Sequence, residues 1–180
     1  MLVKMAANTP ISSQALDKGG VAIQWMGGWL TGQLGEVVSC IGCHEDHNQI
    51  PIPKRVMASQ KAPHALTPPE GGTRSFTFDL EIQPILDRAC IACHNGEGKA
   101  FDLRGGKKDK LGDGTSYLNL HPYVRRQGGE GDMVVLQPYE YHPNTSELVR
   151  MLKKGHFNVQ LTDKEWKTLY NWIDYNAPDK

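Results

Sequence analysis

The chain has 180 residues, with 20 Lys plus Arg against 20 Asp plus Glu and therefore no formal net charge; the basic excess that a general nucleic-acid binder needs is absent. Hydrophobic residues make up 39%, below the ~45–50% of an ordinary globular chain. Gly and Pro together fill 30 positions, so the chain is loop-rich and short of side chains to build a core. No run approaches the ~18 apolar residues of a membrane helix. The opening Met1-Leu2-Val3-Lys4-Met5 leads into no apolar stretch of signal-peptide length, which reads the chain as a mature product or as a piece of a longer protein.

Residues 1–39 are rich in Gly and Trp, and Val21, Trp25, Trp29 and Leu30 predict a short helix ahead of the first cysteine pair. Residues 51–75 carry Pro51, Pro53, Pro63, Pro68 and Pro69 followed by Gly71-Gly72, the composition of a linker or extended wrap, with His64 solvated within it. A second unit begins at residue 76. Phe76, Phe78, Leu80, Ile82, Ile85 and Leu86 have the spacing of a short helix that ends at Cys90, with Pro84 in its first turn or kinking it. Residues 95–132 show no periodicity and read as loops. Residues 144–154 read as a helix capped by Asn144, with Glu147 in the capping-box position and Leu148, Met151 and Leu152 as its stripe. The strongest helix signal follows. Thr162 and Glu165 form a capping box, Trp166, Leu169, Tyr170 and Ile173 share one face, and Pro178 stops the run.

All four cysteines fall in two Cys-x-x-Cys-His motifs, Cys40-Ile41-Gly42-Cys43-His44 and Cys90-Ile91-Ala92-Cys93-His94. Two intervening residues let one helical turn present both sulfurs along the edge of a porphyrin, as thioethers to its vinyl groups. The histidine that follows then reaches the iron as an axial ligand. Three other uses of the cysteines compete. A four-thiolate zinc site leaves both histidines idle and separates its pairs by 46 residues, beyond the ~15–20 of a zinc ribbon. A disulfide across two residues is strained. A dithiol redox pair has no need of the histidine. The motifs therefore imply two covalent haem c groups, which would also fill the thin core. Attachment of this kind takes place outside the cytoplasmic membrane, so the expected location is periplasmic or extracellular.

The expected architecture is mainly α with extensive loops and little or no sheet, divided into a first haem unit with its Pro-rich linker (1–75) and a second, cytochrome c-like unit (76–180). Cys40, Cys43, Cys90 and Cys93 are the attachment residues, and His44 and His94 the proximal ligands. His142, in Tyr141-His142-Pro143, and His121, in Leu120-His121-Pro122, each sit beside a stiffening proline and are candidates for the other face of the first haem. His47 is too close to His44 to reach the opposite face of the same haem. It could serve a different one, in this chain or a neighbour; the alternative is a surface histidine in an acidic turn.

The stretch Phe78-Asp79-Leu80-Glu81-Ile82-Gln83-Pro84-Ile85-Leu86 leading to Cys90, with the closing Trp172-Ile173-Asp174-Tyr175-Asn176-Ala177-Pro178, resembles a cytochrome c domain of planctomycete type. Ala7-Asn8-Thr9-Pro10-Ile11, Gly35-Glu36-Val37-Val38-Ser39-Cys40 and His121-Pro122-Tyr123-Val124-Arg125-Arg126 extend the resemblance to the dihaem carboxy-terminal part of hydrazine synthase alpha-subunit-like proteins. The resemblance implies that the second haem takes its sixth ligand from the loop just before the last helix. Here that residue is His156, with Gly155 giving the turn and Met151 as the rival. It also implies, in the hydrazine-forming enzyme, a tyrosine shortly after the first motif that meets the iron. Glu45-Asp46-His47-Asn48-Gln49 holds none, so no catalytic residue carries over.

Three functions remain open: electron transfer between redox partner proteins with both irons closed by histidine, a catalytic haem domain acting on a small nitrogen compound or peroxide, and a repeating subunit of an extracellular cytochrome assembly.

Overall fold

A computed structural model describes residues 1–26, 29–39, 57–69, 71–126 and 137–180, without the side chain of Trp25. Helix accounts for 32% of the described residues and strand for 9%, so helices and the loops between them set the architecture. The chain forms two compact units. One comprises residues 1–13 and 26–74, the other residues 14–25 and 75–180.

In the first unit, β1 (Val3–Lys4) pairs in parallel with β4 (His64–Ala65), matching Val3 with His64 and Lys4 with Ala65. A 3-10 turn at Met57–Gln60 precedes β4, and an isolated antiparallel bridge joins Ile11 to Leu30. His64 is exposed. All the buried apolar side chains among the described residues belong to the second unit.

The second unit opens with a hairpin where the sequence predicts a helix. β2 (Gln14–Leu16) pairs antiparallel with β3 (Ala22–Trp25). The Asp17 carboxylate turns the chain by accepting the amides of Gly19 at 2.7 Å and Val21 at 3.0 Å. A short acidic side chain that satisfies amides two and four residues on offers the backbone an alternative to a helix, and it overrides the four-residue Trp spacing. Trp29 is 75% exposed.

Among the described residues four α-helices follow: α1 (Gln83–Ala89), α2 (Thr115–Leu120), α3 (Glu147–Lys154) and α4 (Asp163–Asp174). A π-helical turn at Phe78–Ile82, started by Thr77 accepting the Leu80 amide, runs directly into α1, whose first turn holds Pro84 as the sequence predicts. α2 lies inside the stretch read as loop. It is one and a half turns long and buries Ser116, Tyr117 and Leu120, too few apolar positions to give a period. α3 starts at Glu147 after Ser146, not at Asn144; residues Pro143–Thr145 form a 3-10 turn capped by the ring of His142. α4 carries the predicted capping box between Thr162 and Glu165. Its end is set by left-handed backbone at Asn176 and Ala177, before Pro178 is reached.

Phe78, Ile82 and Trp172 sit at the centre of the core with at most 1% of their surface exposed. Phe78 meets Tyr117 edge-on at 5.4 Å and Trp172 at a tilt, also at 5.4 Å. The carboxy-terminal tail closes over this cluster: Trp172 donates its indole N–H to the Pro178 carbonyl at 2.9 Å, and Tyr117 donates its hydroxyl to that of Ala177 at 3.1 Å.

Candidate metal centre

α1 exists to bring Cys90 to the edge of this core. Cys90 is its C-cap, and the chain continues to turn: the amides of Cys93 and His94 both donate to the Cys90 carbonyl, at 3.1 and 2.9 Å. One helical turn therefore carries both thiols and the histidine, as the motif spacing requires. Cys90 is half-buried and Cys93 exposed, and both are free thiols. Burial pushes the Cys90 thiol up from its ordinary value, against the opposing pull of Arg88. A dithiol redox centre needs a thiol shifted the other way.

His94 is held from behind. Its Nδ1 lies 3.1 Å from the Phe101 carbonyl, so Nδ1–H donates there and Nε2 is the nitrogen left to bind a metal. The loop that supplies this carbonyl is itself braced. The Leu103 amide donates to the His94 carbonyl at 2.9 Å. Asp102 forms ion pairs with Arg104 at 2.9 Å and Lys107 at 2.8 Å, and those two cations hold its carboxyl well below the usual carboxylate range. Gly96, at φ +76°, passes so close to Asp102 that a Cβ would come within 3.1 Å of its carboxylate.

The imidazole of His156 faces the same place. α3 ends at Gly155, whose φ of 100° turns the chain, and α4 starts after the cap at Thr162. Arg88 of α1 ties the intervening loop down: it forms a two-pronged pair with Glu165, at 2.6 and 2.7 Å, and donates to the Gln160 carbonyl at 3.0 Å. The element bearing the motif and the loop bearing His156 are thus fastened by one guanidinium.

The His94 and His156 ring centres are 6.1 Å apart. Their planes are inclined by 34°, and the spacing is compatible with a single metal bound by both rings. An imidazole nitrogen binds a first-row metal at about 2.0–2.1 Å, and two such bonds plus two ring radii come to roughly 6 Å. Phe157, next to His156, is 85% exposed and meets its ring edge-on at 4.9 Å. Among the described residues no cluster of three or more His, Cys, Asp or Glu is placed to hold a bare ion.

The other sequence-predicted residues lie elsewhere. Cys40, Cys43, His44 and His47 fall outside the described residues. His142 is 6% exposed. Its Nδ1 accepts the Asn144 amide at 3.2 Å and its Nε2 stands 3.5 Å from the Asp17 carboxylate, so both nitrogens face protein partners. His121 stacks on Tyr117 with ring centres 5.1 Å apart, and its buried Nδ1 has no hydrogen-bond partner. Met151 packs at the fringe of the core beside Leu152. Sequence reasoning missed the bracing residues: Phe101, which acts through its backbone carbonyl, and Arg88, whose partner is 77 residues away.

A family model described as the hydrazine synthase alpha subunit middle domain matches residues 1–45. The match takes in the first Cys-x-x-Cys-His motif and stops well short of the second, and it concerns the middle domain where the sequence resemblance pointed to the carboxy-terminal part. It supports a hydrazine synthase-like relationship for that stretch. Comparison with curated proteins and with solved structures finds no match. No helix among the described residues is long and apolar enough to cross a membrane.

Proposed function

We propose that this chain is a dihaem c-type cytochrome that transfers electrons between redox partner proteins outside the cytoplasm. Cys90 and Cys93 hold one haem, with His94 and His156 as its axial ligands; Cys40, Cys43 and His44 hold the other. The observation that carries this reading is the pair of facing imidazoles at 6.1 Å, one of them part of a motif whose remaining residues suit thioether attachment. When bound, the haem supplies one-electron chemistry at its iron.

The protein's own part is to keep that iron closed and still. His94 is fixed by Phe101, and His156 by the Arg88–Glu165 clasp. Two histidines fixed from separate elements leave no open position for a substrate and little rearrangement between oxidation states, which favours transfer over catalysis. Electron paramagnetic resonance of the oxidised protein is expected to show both ferric haems low spin, and the absorption spectrum of the reduced protein is expected not to change on adding carbon monoxide. One high-spin haem that binds carbon monoxide would overturn the electron-transfer reading.

The family match favours a second reading, in which the chain is the haem-bearing part of a hydrazine synthase-like multihaem enzyme. That reading requires an open iron at the first motif, and the same spectrum decides between the two.

A further inference from the structure

Polar groups fasten the β2–β3 hairpin to the rest of its unit, and two of four such ties go to one buried residue, Asp174. The Ala22 amide donates to Asp174 Oδ2 at 3.0 Å, and the Gln14 side chain donates to the Asp174 backbone carbonyl. Two outer ties complete the attachment: the Tyr139 amide donates to the Ile23 carbonyl at 2.8 Å, and Asp17 meets His142. Val21 and Ala22 are buried, but Leu16 is 55% exposed.

Asp174 is only 8% exposed, and its Oδ1 is buried without a hydrogen-bond partner. The charged groups around it do not neutralise it. Across the adjoining cavity, Arg125 is paired with Glu140 at 3.9 Å and lies over the Tyr141 ring, while Arg126 donates to the Asn176 carbonyl at 3.4 Å. Asp17, in the hairpin turn, adds a second negative charge. Burial raises the Asp174 carboxyl to about 6, against the single Ala22 amide that favours its ionised form. An ionised carboxylate here is buried with one oxygen lacking a hydrogen-bond donor, a state that favours either protonation or access of water.

We propose that the hairpin is a proton-controlled cover: it closes over Asp174 when that acid is protonated, and it loosens to let water reach the carboxylate when the acid ionises. The acid's folded value lies above its unfolded one, so the contribution to closure is full below pH 3.8 and is lost as pH rises through about 6. Over the whole range the open fraction of the hairpin rises on the order of 100-fold, and between pH 5 and pH 8 about tenfold. Asp17 in the hairpin turn also meets His142, so the experiment must isolate the contribution of Asp174.

Hydrogen exchange on the intact, haem-loaded chain does so, with rates corrected for the intrinsic effect of pH. The hairpin amides of residues 14–24 are expected to lose about tenfold in protection from pH 5 to pH 8, while the α4 amides of Leu169 and Ile173 change far less. Asp174→Asn is expected to remove the tenfold change. An equal loss in hairpin and α4, or a full pH dependence surviving in Asp174→Asn, overturns the proposal. If that variant does not fold, a carbon-13 titration of the wild-type Asp174 carboxyl decides: a midpoint near an ordinary aspartate's overturns the proposal, and one near 6 that coincides with the loss of hairpin protection supports it.

Discussion

Replacing His156 with alanine is expected to turn one of the two ferric haems from low spin to high spin and to shift its reduction potential by on the order of 0.1 V, within the ~0.8 V that axial ligation spans. The other haem should be untouched, because the proposal assigns His156 to the second motif's haem. The physical reason is the facing geometry: with the ring opposite His94 gone, the nearest aromatic neighbour of the vacated place is Phe157, which offers no lone pair to a metal. Met151 packs into the fringe of the core with Leu152 and is not free to substitute. A His156→Ala protein with both haems low spin and unchanged potentials would remove His156 from the centre.

Trp172→Ala is expected to have the largest effect on stability. Trp172 has none of its surface exposed, contacts Phe78 and Tyr117, and donates its indole N–H to the Pro178 carbonyl. Emptying a buried tryptophan site costs about 3–5 kcal/mol, a large share of the ~5–15 kcal/mol by which a domain is stable. The lost hydrogen bond would also free the tail that covers the core. Denaturant titration followed by circular dichroism should show a markedly lower midpoint with a similar slope; a midpoint within about 0.5 kcal/mol of wild type would show that the core does not depend on this ring.

The second unit was legible where local chemistry and periodicity agree. The Thr162–Glu165 box, the apolar face of α4 and the turn at Gly155 all follow from residues within one or two helical turns of each other, and the structure places them as the sequence predicts. The helix delivering Cys90 was visible for the same reason. Three features were not. The hairpin at residues 14–25 depends on Asp17 capturing two amides, a choice that a four-residue Trp spacing hides. α2 is too short to show a period, and its buried Ser116 is explained only by Gln83, 33 residues earlier, which accepts its hydroxyl at 2.6 Å. The bracing of the candidate centre comes from a backbone carbonyl at Phe101 and from the Arg88–Glu165 pair. A carbonyl has no sequence signature, and the pair joins residues far apart in the chain.

His142 shows how a residue can be marked correctly as held in place while its partner stays hidden. Its neighbouring proline signals rigidity. The carboxylate it faces lies 125 residues away, at Asp17, and nothing local announces it.

The central claim is that both cysteine pairs carry haem, and the mass of the intact polypeptide after acid-acetone extraction tests it most directly. The account predicts a single species heavier than the 20.0 kDa chain by two haem groups, with no thiol left for alkylation at Cys40, Cys43, Cys90 or Cys93. A colourless polypeptide of unmodified mass with four alkylatable thiols, or one that releases zinc on acidification, would contradict it.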